Sequence, residues 1–116
     1  MATEAACLTG ADGRVVCEHL LVAARPLRRM RGLLGRRTLP HGEGILLRPA
    51  ASIHTFFMRF PIDAVFLDRG NFVVAIEPRL RPWRVAGCRG AHAVVELRAG
   101  EAARRGIQPG EQLEAA

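Results

Sequence analysis

The segment from residue 62 to residue 76 constrains the fold of this chain more than any other. Two apolar runs, Ile62–Leu67 and Phe72–Ile76, flank the four residues Asp68, Arg69, Gly70 and Asn71. Those residue types are the ones that tight turns between antiparallel strands prefer. The pattern therefore predicts a β-hairpin, and the chain must form a sheet that buries both arms.

Other stretches also show strand patterns. We predict strands over residues 14–23, 45–47, 52–58 and 93–97, and a short last strand at Gln112 and Leu113. The arginine-rich stretch 79–90 contains Pro82, Trp83 and two glycines, and it is predicted to be the longest loop.

Two helices are predicted. The main one covers about residues 26–35, because Leu27, Met30 and Leu33 recur at helical spacing between Pro26 and Gly35. A short one is predicted near residues 100–105. Strands outnumber helices without a regular βαβ alternation, so we expect an α+β domain with a mostly antiparallel sheet that is barrel-like or strongly curved. At 116 residues, we expect residues 1–116 to form a single domain.

All 17 basic residues are arginine, and the formal net charge is +6. This excess has two interpretations: an anionic or nucleic-acid partner, or a compositional preference with the charges spread over a solvated surface. The cysteines Cys7, Cys17 and Cys88 show neither metal nor redox spacing, and the chain opens without the pattern of a signal peptide. We therefore expect reduced thiols, a cytoplasmic location, no cofactor and no association with membranes.

Several motifs together resemble a known family. They are Arg29 to Leu34, Gly44, Phe57 to Arg59, Pro61 to Asp63, and a closing pattern of Glu96, Leu97, Ala99, Gly100, Gly106, Pro109 and Gly110. Across nearly the whole chain they resemble domain-of-unknown-function family 192, also called uncharacterised protein family 0127. Two positions differ from the family pattern, Glu111 where aspartate is common and Phe57 where tryptophan is frequent. The resemblance implies one compact β-rich domain and no assigned activity.

The residues suggest one candidate ligand site, located where the chain reverses after Met58 and meets the loop that holds Trp83. Its members are His54, Phe56, Arg59, Phe60, Asp63, Trp83 and Arg84. In this prediction the arginines accept an anionic group, His54 and Asp63 orient a polar part of the ligand, and the aromatic rings form apolar walls. The alternative interpretation is structural: Asp63 accepts backbone hydrogen bonds at the bend or pairs with Arg59, His54 is a hydrogen-bonded core histidine, and the phenylalanines lie in the core.

Three other functions are less well supported by the sequence. RNA or single-stranded DNA binding would use the arginines of the predicted main helix together with Arg79, Arg81, Arg84 and Arg89. A hydrolase-like enzyme with a Ser52, His54 and Asp63 triad is disfavoured, because side chains two apart on a strand stand about 6.6 Å apart. A metal site at Cys17 and His19, or at Cys88 and His92, would need its third and fourth ligands from distant positions such as His41 or His54. We therefore predict a binding module rather than an enzyme, with no catalytic or metal residues, and a small anionic ligand as its partner.

Overall fold

The computed structural model describes residues 4–23 and 39–116. In this part of the chain the nine strands are β1 (Glu4–Thr9), β2 (Val15–Ala23), β3 (Glu43–Leu47), β4 (Ser52–His54), β5 (Ile62–Leu67), β6 (Val73–Leu80), β7 (Val85–Gly87), β8 (Ala93–Arg98) and β9 (Glu114–Ala115). One four-residue helix, α1 (Glu101–Arg104), follows β8. The described structure is therefore mostly β.

Seven strands form the main sheet in the order β6-β5-β8-β3-β2-β1-β9, and β4 pairs with β7 in a separate two-stranded ribbon. Every named strand pair is antiparallel except β2 with β3. The hairpin predicted from the sequence is β5 and β6, with Val65 opposite Ile76. The expectation of a mostly antiparallel sheet is confirmed.

The central strands β5 and β8 are buried almost along their whole length. Their side chains alternate between the two faces of the sheet, as in any strand. Val65 and Val95 join one apolar cluster, which Leu8, Ile107 and others complete. Phe66 and Val94 join a second cluster on the other face. The sheet thus has a core layer on each side, and the ribbon of β4 and β7 covers the second one.

The C-terminal segment connects the two edges of the main sheet. On the β6 side, Gly110 and Leu113 donate backbone hydrogen bonds to the carbonyls of Val73 (2.7 Å) and Asn71 (2.9 Å). On the β1 side, β9 pairs with β1 through Leu8 opposite Ala115. Because one short segment reaches both edges, the sheet curls into a half-barrel, in line with the predicted strong curvature.

The helix predictions have different outcomes. The short helix near residues 100–105 is confirmed as α1, which is the only helix within residues 4–23 and 39–116. The main helix predicted over about 26–35 lies outside the described residues. The α+β assignment is therefore supported only in its β part. Among the described residues, no helix is both long and apolar enough to cross a bilayer.

Two local predictions were wrong. The strand pattern from residue 52 ends at His54, because the chain turns at Phe56 and Phe57 and the N–H of Met58 bonds back to the carbonyl of Thr55 at 3.2 Å. The stretch 79–90 is not one loop, because β6 extends to Leu80 and β7 pairs with β4. Alternation alone does not reveal a strand of three residues.

Candidate functional site

The ribbon of β4 and β7 presents opposite faces to the core and to solvent. Ile53 on β4 is 2% exposed and packs in the second core layer with Met58 and Phe60. The neighbouring pair, His54 opposite Val85, faces the other way, and Val85 is 66% exposed. Ile53 and Ala86 pack the inner face of the ribbon against the second core layer, and the outer face is left towards solvent.

Three aromatic side chains next to this outer face remain exposed to solvent. Phe56, Phe57 and Trp83 are 36%, 64% and 55% exposed. The ring of Phe56 stacks on Trp83 with centroids 5.6 Å apart and on His54 at 4.8 Å. Phe57 meets Trp83 at 4.7 Å with the ring planes tilted by 60°. We call Phe56, Phe57 and Trp83 the aromatic platform; contiguous exposed apolar surface of this kind marks interaction sites.

The backbone holds two members of the platform in an unusual conformation. Phe57 has φ 68° and Trp83 has φ 65°, both in the left-handed region. For bulky side chains this region costs on the order of 1–3 kcal/mol and persists only where surrounding contacts enforce it. Such strained residues cluster at functional sites. The two residues with this strained backbone, Phe57 and Trp83, both have rings that lie outside the core.

Thr55 supplies the contacts that enforce this geometry. Its side chain is fully buried, and its hydroxyl donates to the carbonyl of Arg81 at 2.6 Å while accepting from the N–H of Arg84 at 2.9 Å. Its backbone carbonyl accepts the N–H groups of Met58 and Trp83, and its own N–H bonds to the carbonyl of Arg84. One residue therefore ties together the two turns that carry the aromatic platform.

A groove of about 500 Å³ lies along the end of β6 and along β7. Its lining includes three arginines, Arg79, Arg81 and Arg84, against one acidic residue, Glu77. We call this the arginine groove. Its charged lining is net positive, and Arg84 connects it to the platform because it directly follows Trp83.

The structure brings together four of the seven residues predicted for the site. His54, Phe56 and Trp83 form one stack, and Arg84 lies beside them in the arginine groove. Arg59 is exposed and does not line this groove. The convergence of Arg59 and Arg84 on one hollow therefore stays a prediction, and the arginines that line this groove with Arg84 are Arg79 and Arg81.

Phe60 and Asp63 lie apart from this exposed group. Phe60 is 8% exposed and packs in the second core layer. Asp63 is 1% exposed, and its two carboxylate oxygens accept backbone N–H groups from Arg79 (2.9 Å), Gly100 (3.0 Å) and Ala102 (2.9 Å). Asp63 on β5 thus caps the start of α1, which agrees with the structural alternative for this residue.

Phe57 and Thr55 are the important residues that the sequence-based site lacked. A strand pattern assigns Phe57 to the same face as Ile53, and so to the interior. The available signal was the pair of adjacent phenylalanines: on a strand that covers a core with one face, both cannot be buried. Thr55 carried no signal, because its role depends on residues 26 and 29 positions further along the chain.

The hydrogen bonds of Asp63 and His54 can be compared with the disfavoured triad of Ser52, His54 and Asp63. The two oxygens of the buried Asp63 carboxylate accept three backbone N–H groups, and His54 is not among these donors. The Nδ1 atom of His54 lies instead 3.3 Å from the backbone N–H of Phe56, which donates to it. Among residues 4–23 and 39–116, no three metal-ligating side chains lie close enough together to hold an ion.

A second polar cluster lies around Glu101, whose side chain is 3% exposed. It accepts hydrogen bonds from Arg104 at 2.7 Å and Arg105 at 3.1 Å, and Nδ1 of His41 lies 2.8 Å from it. The bond from Arg104 outweighs the desolvation of burial and, with His41 and Arg105, lowers the pKa of Glu101 from its ordinary 4.5 to about 2. Because its hydrogen bonds tie α1 to neighbouring segments, we assign this cluster to stability.

These features define a small, mostly β domain with a curled sheet and an exposed surface of aromatic and arginine residues. The chain belongs to the family DUF192, described as Uncharacterized ACR, whose model matches residues 8–115. The resemblance inferred from the sequence motifs is thereby confirmed.

Individual relatives support the same assignment. A UPF0127 protein from Thermococcus sibiricus is 37% identical over 76 residues, which is 62% of this chain and 49% of that protein. The chain thus matches only about half the length of this relative.

Two crystal structures share the fold across nearly the whole chain. A protein from Sinorhizobium meliloti 1021, provisionally described as a transcription regulator, superposes with a TM-score of 0.83 at 26% identity, covering 98% of this chain and 94% of that one. A protein of unknown function from Novosphingobium aromaticivorans DSM 12444 gives 0.81 at 28% identity, covering 97% and 84%.

Proposed function

We propose that this domain is a binding module that takes an anionic ligand carrying a planar ring. The observation that carries the proposal is the adjacency of the aromatic platform to the arginine groove, with Trp83 and Arg84 consecutive in the chain. Aromatic faces favour planar apolar groups, and guanidinium forks favour phosphate or carboxylate. A ligand with both features would satisfy both halves of the surface at once.

The proposal assigns each residue a distinct role. Phe56, Phe57 and Trp83 contact the ring of the ligand, while Arg84 and its groove neighbours contact its anionic group. His54 supports the stack from behind through Phe56. Phe60 and Asp63 contribute indirectly, because they hold β5 and the ribbon in place. We also propose a cytoplasmic location, for which the support is that Cys7, Cys17 and Cys88 are all unpaired.

Trp83 makes the proposal directly testable. The chain has one tryptophan and no tyrosine, so its intrinsic fluorescence at long wavelength comes from the platform alone. We expect saturable changes in this fluorescence on titration with small ring-bearing anions, such as nucleoside monophosphates and aromatic carboxylates. Inorganic phosphate should produce a weaker effect, because it engages only the arginines.

The matched control is Arg69, an exposed arginine in the turn between β5 and β6. Arg84→Ala should weaken binding, and Arg69→Ala, with the same change in net charge, should not. Fluorescence that stays constant with all these compounds, or equal effects of the two variants, would contradict the proposal.

A further inference from the structure

We infer that the ligand of this surface is single-stranded nucleic acid, bound with its bases on the aromatic platform and its phosphates along the arginine groove. This inference rests on the proposed function and specifies its ligand class. Three features of the surface lead to it: the geometry of the stack, the spread of positive charge, and the rigidity of the two turns.

The first feature is that the rings already form a stack with open surface. His54, Phe56 and Trp83 follow one another with interplanar angles of 25° and 29°, and Phe57 extends the cluster beyond Trp83. Because Phe57 and Trp83 are more than half exposed, bases can extend this stack. Unpaired bases offer their faces to aromatic side chains in this way, whereas bases within a duplex are already stacked on each other.

The second feature is that the positive charge is distributed and not focused. Arg79 and Arg81 come from the end of β6 and from the residue that follows it, and Arg84 comes from the turn before β7. A single small anion needs one guanidinium or two convergent ones. Three arginines along an open groove of about 500 Å³ suit several phosphates in succession.

The third feature is that the surface is preorganised. Thr55 links the turn of Phe57 to the turn of Trp83, so the platform and the groove keep a fixed relation without a ligand. Nucleic acids of different sequence share base faces and phosphates, which such a surface recognises without reading base edges. We therefore expect affinity for single strands with little sequence preference.

The test compares four probes by the fluorescence of Trp83: thymidine 5′-monophosphate, inorganic polyphosphate, a thymidylate 12-mer and anionic lipid vesicles. We expect the 12-mer to bind at least about tenfold more tightly than the mononucleotide, because both halves of the surface act on one molecule. Its affinity should fall with added salt with a log–log slope of about −2, since each neutralised phosphate contributes roughly −0.7 for single strands.

Variants separate stacking from charge. Phe57→Asn keeps a residue that tolerates left-handed backbone and removes the ring, and it should weaken binding of the 12-mer about 5- to 100-fold. Arg84→Ala should make the salt slope shallower by roughly 0.7. Phe72→Ala and Arg69→Ala are the controls, because both residues are exposed at the opposite end of β6. Far-ultraviolet circular dichroism and thermal melting verify that each variant is folded.

The possible outcomes distinguish this inference from the function on which it rests. If the mononucleotide binds as tightly as the 12-mer, the proposed function stands and the nucleic-acid inference is wrong. Polyphosphate binding as tightly as the 12-mer, or binding that survives Phe57→Asn, would overturn it as well, because charge alone would then suffice. A response to anionic lipid vesicles without a response to the 12-mer would point to a membrane surface and also overturn it. If no probe alters the fluorescence, both proposals fail.

Discussion

The buried hydroxyl of Thr55 accepts a hydrogen bond from the backbone N–H of Arg84 at 2.9 Å. This bond joins the start of the first chain reversal to the residue that precedes β7, and the same hydroxyl donates to the carbonyl of Arg81. The position of every exposed ring at the candidate site therefore depends on one side chain that itself has no contact with solvent.

Thr55→Val should destabilise the protein. The substitution keeps the volume but removes the partner of the Arg84 N–H and of the Arg81 carbonyl, both in part-buried hydrogen bonds, at a cost of about 1–2 kcal/mol. Urea unfolding would measure this as a lower midpoint. The control is Thr9→Val, because the hydroxyl of Thr9 is exposed and makes one long bond of 3.4 Å. A Thr55→Val variant as stable as the Thr9→Val control would show that the two turns are held by other contacts.

Phe57→Asn should leave the stability unchanged or raise it by up to about 1 kcal/mol. Phe57 is 64% exposed, so little buried apolar surface is lost. Asparagine tolerates positive φ better than phenylalanine does, and part of the backbone strain is relieved. Thermal unfolding checks this directly. A loss of more than about 2 kcal/mol would mean that the ring supports the fold, as core residues do.

Asp63→Asn should cost about 2–3 kcal/mol, because both oxygens of Asp63 accept backbone N–H groups and an amide can accept with only one atom. Asp68→Asn is an informative comparison. Asp68 accepts the N–H groups of Gly70 and Phe72 through the same oxygen, Oδ1, which asparagine retains. Chemical denaturation should therefore show a large effect at residue 63 and a small one at residue 68. Equal effects would argue against the capping role of Asp63.

Stability should fall in acid partly through Glu101. Its pKa is lowered from 4.5 to about 2 in the folded protein, so the ionised form is favoured by folding. The resulting stabilisation is present above about pH 4.5 and is lost as the pH falls towards 2. Allowing for the solvent exposure of Arg104, it is on the order of 2 kcal/mol.

Glu101→Gln isolates this contribution. The variant should be less stable than the parent at pH 7, and the difference should shrink between pH 4.5 and 2. Glu114→Gln, at an exposed position, serves as the control. A difference between Glu101→Gln and the parent that is independent of pH would show that the loss comes from packing and not from ionisation.

Much of the sheet was predictable because strand signals are local. The hairpin of β5 and β6 follows from two apolar runs and a turn of Asp68 to Asn71, and the hydrogen bonds of Asp68 to Gly70 and Phe72 are those that such a turn prefers. The short helix α1 likewise begins after Gly100 and ends before Gly106, both with positive φ. These elements need no knowledge of distant residues.

The candidate site was only partly predictable. His54, Phe56, Trp83 and Arg84 were recognisable as aromatic or charged residues near chain reversals, and the fold does bring them together. Asp63 and Phe60 match the same description by residue type, yet they are buried. Residue type and proximity in sequence do not distinguish a side chain that faces solvent from one that faces the core.

The sequence by itself determined the strand-rich class, the main hairpin, the short helix and the family, because each depends on residues close in the chain or on a motif that can be read in order. Only the tertiary structure decided which aromatics are exposed, since that depends on the hydrogen bonds that the Thr55 hydroxyl donates to Arg81 and accepts from Arg84, and on the left-handed backbone at Phe57 and Trp83. Side-chain direction at a turn is set by φ and ψ, and in this domain contacts between segments more than 25 residues apart select those angles.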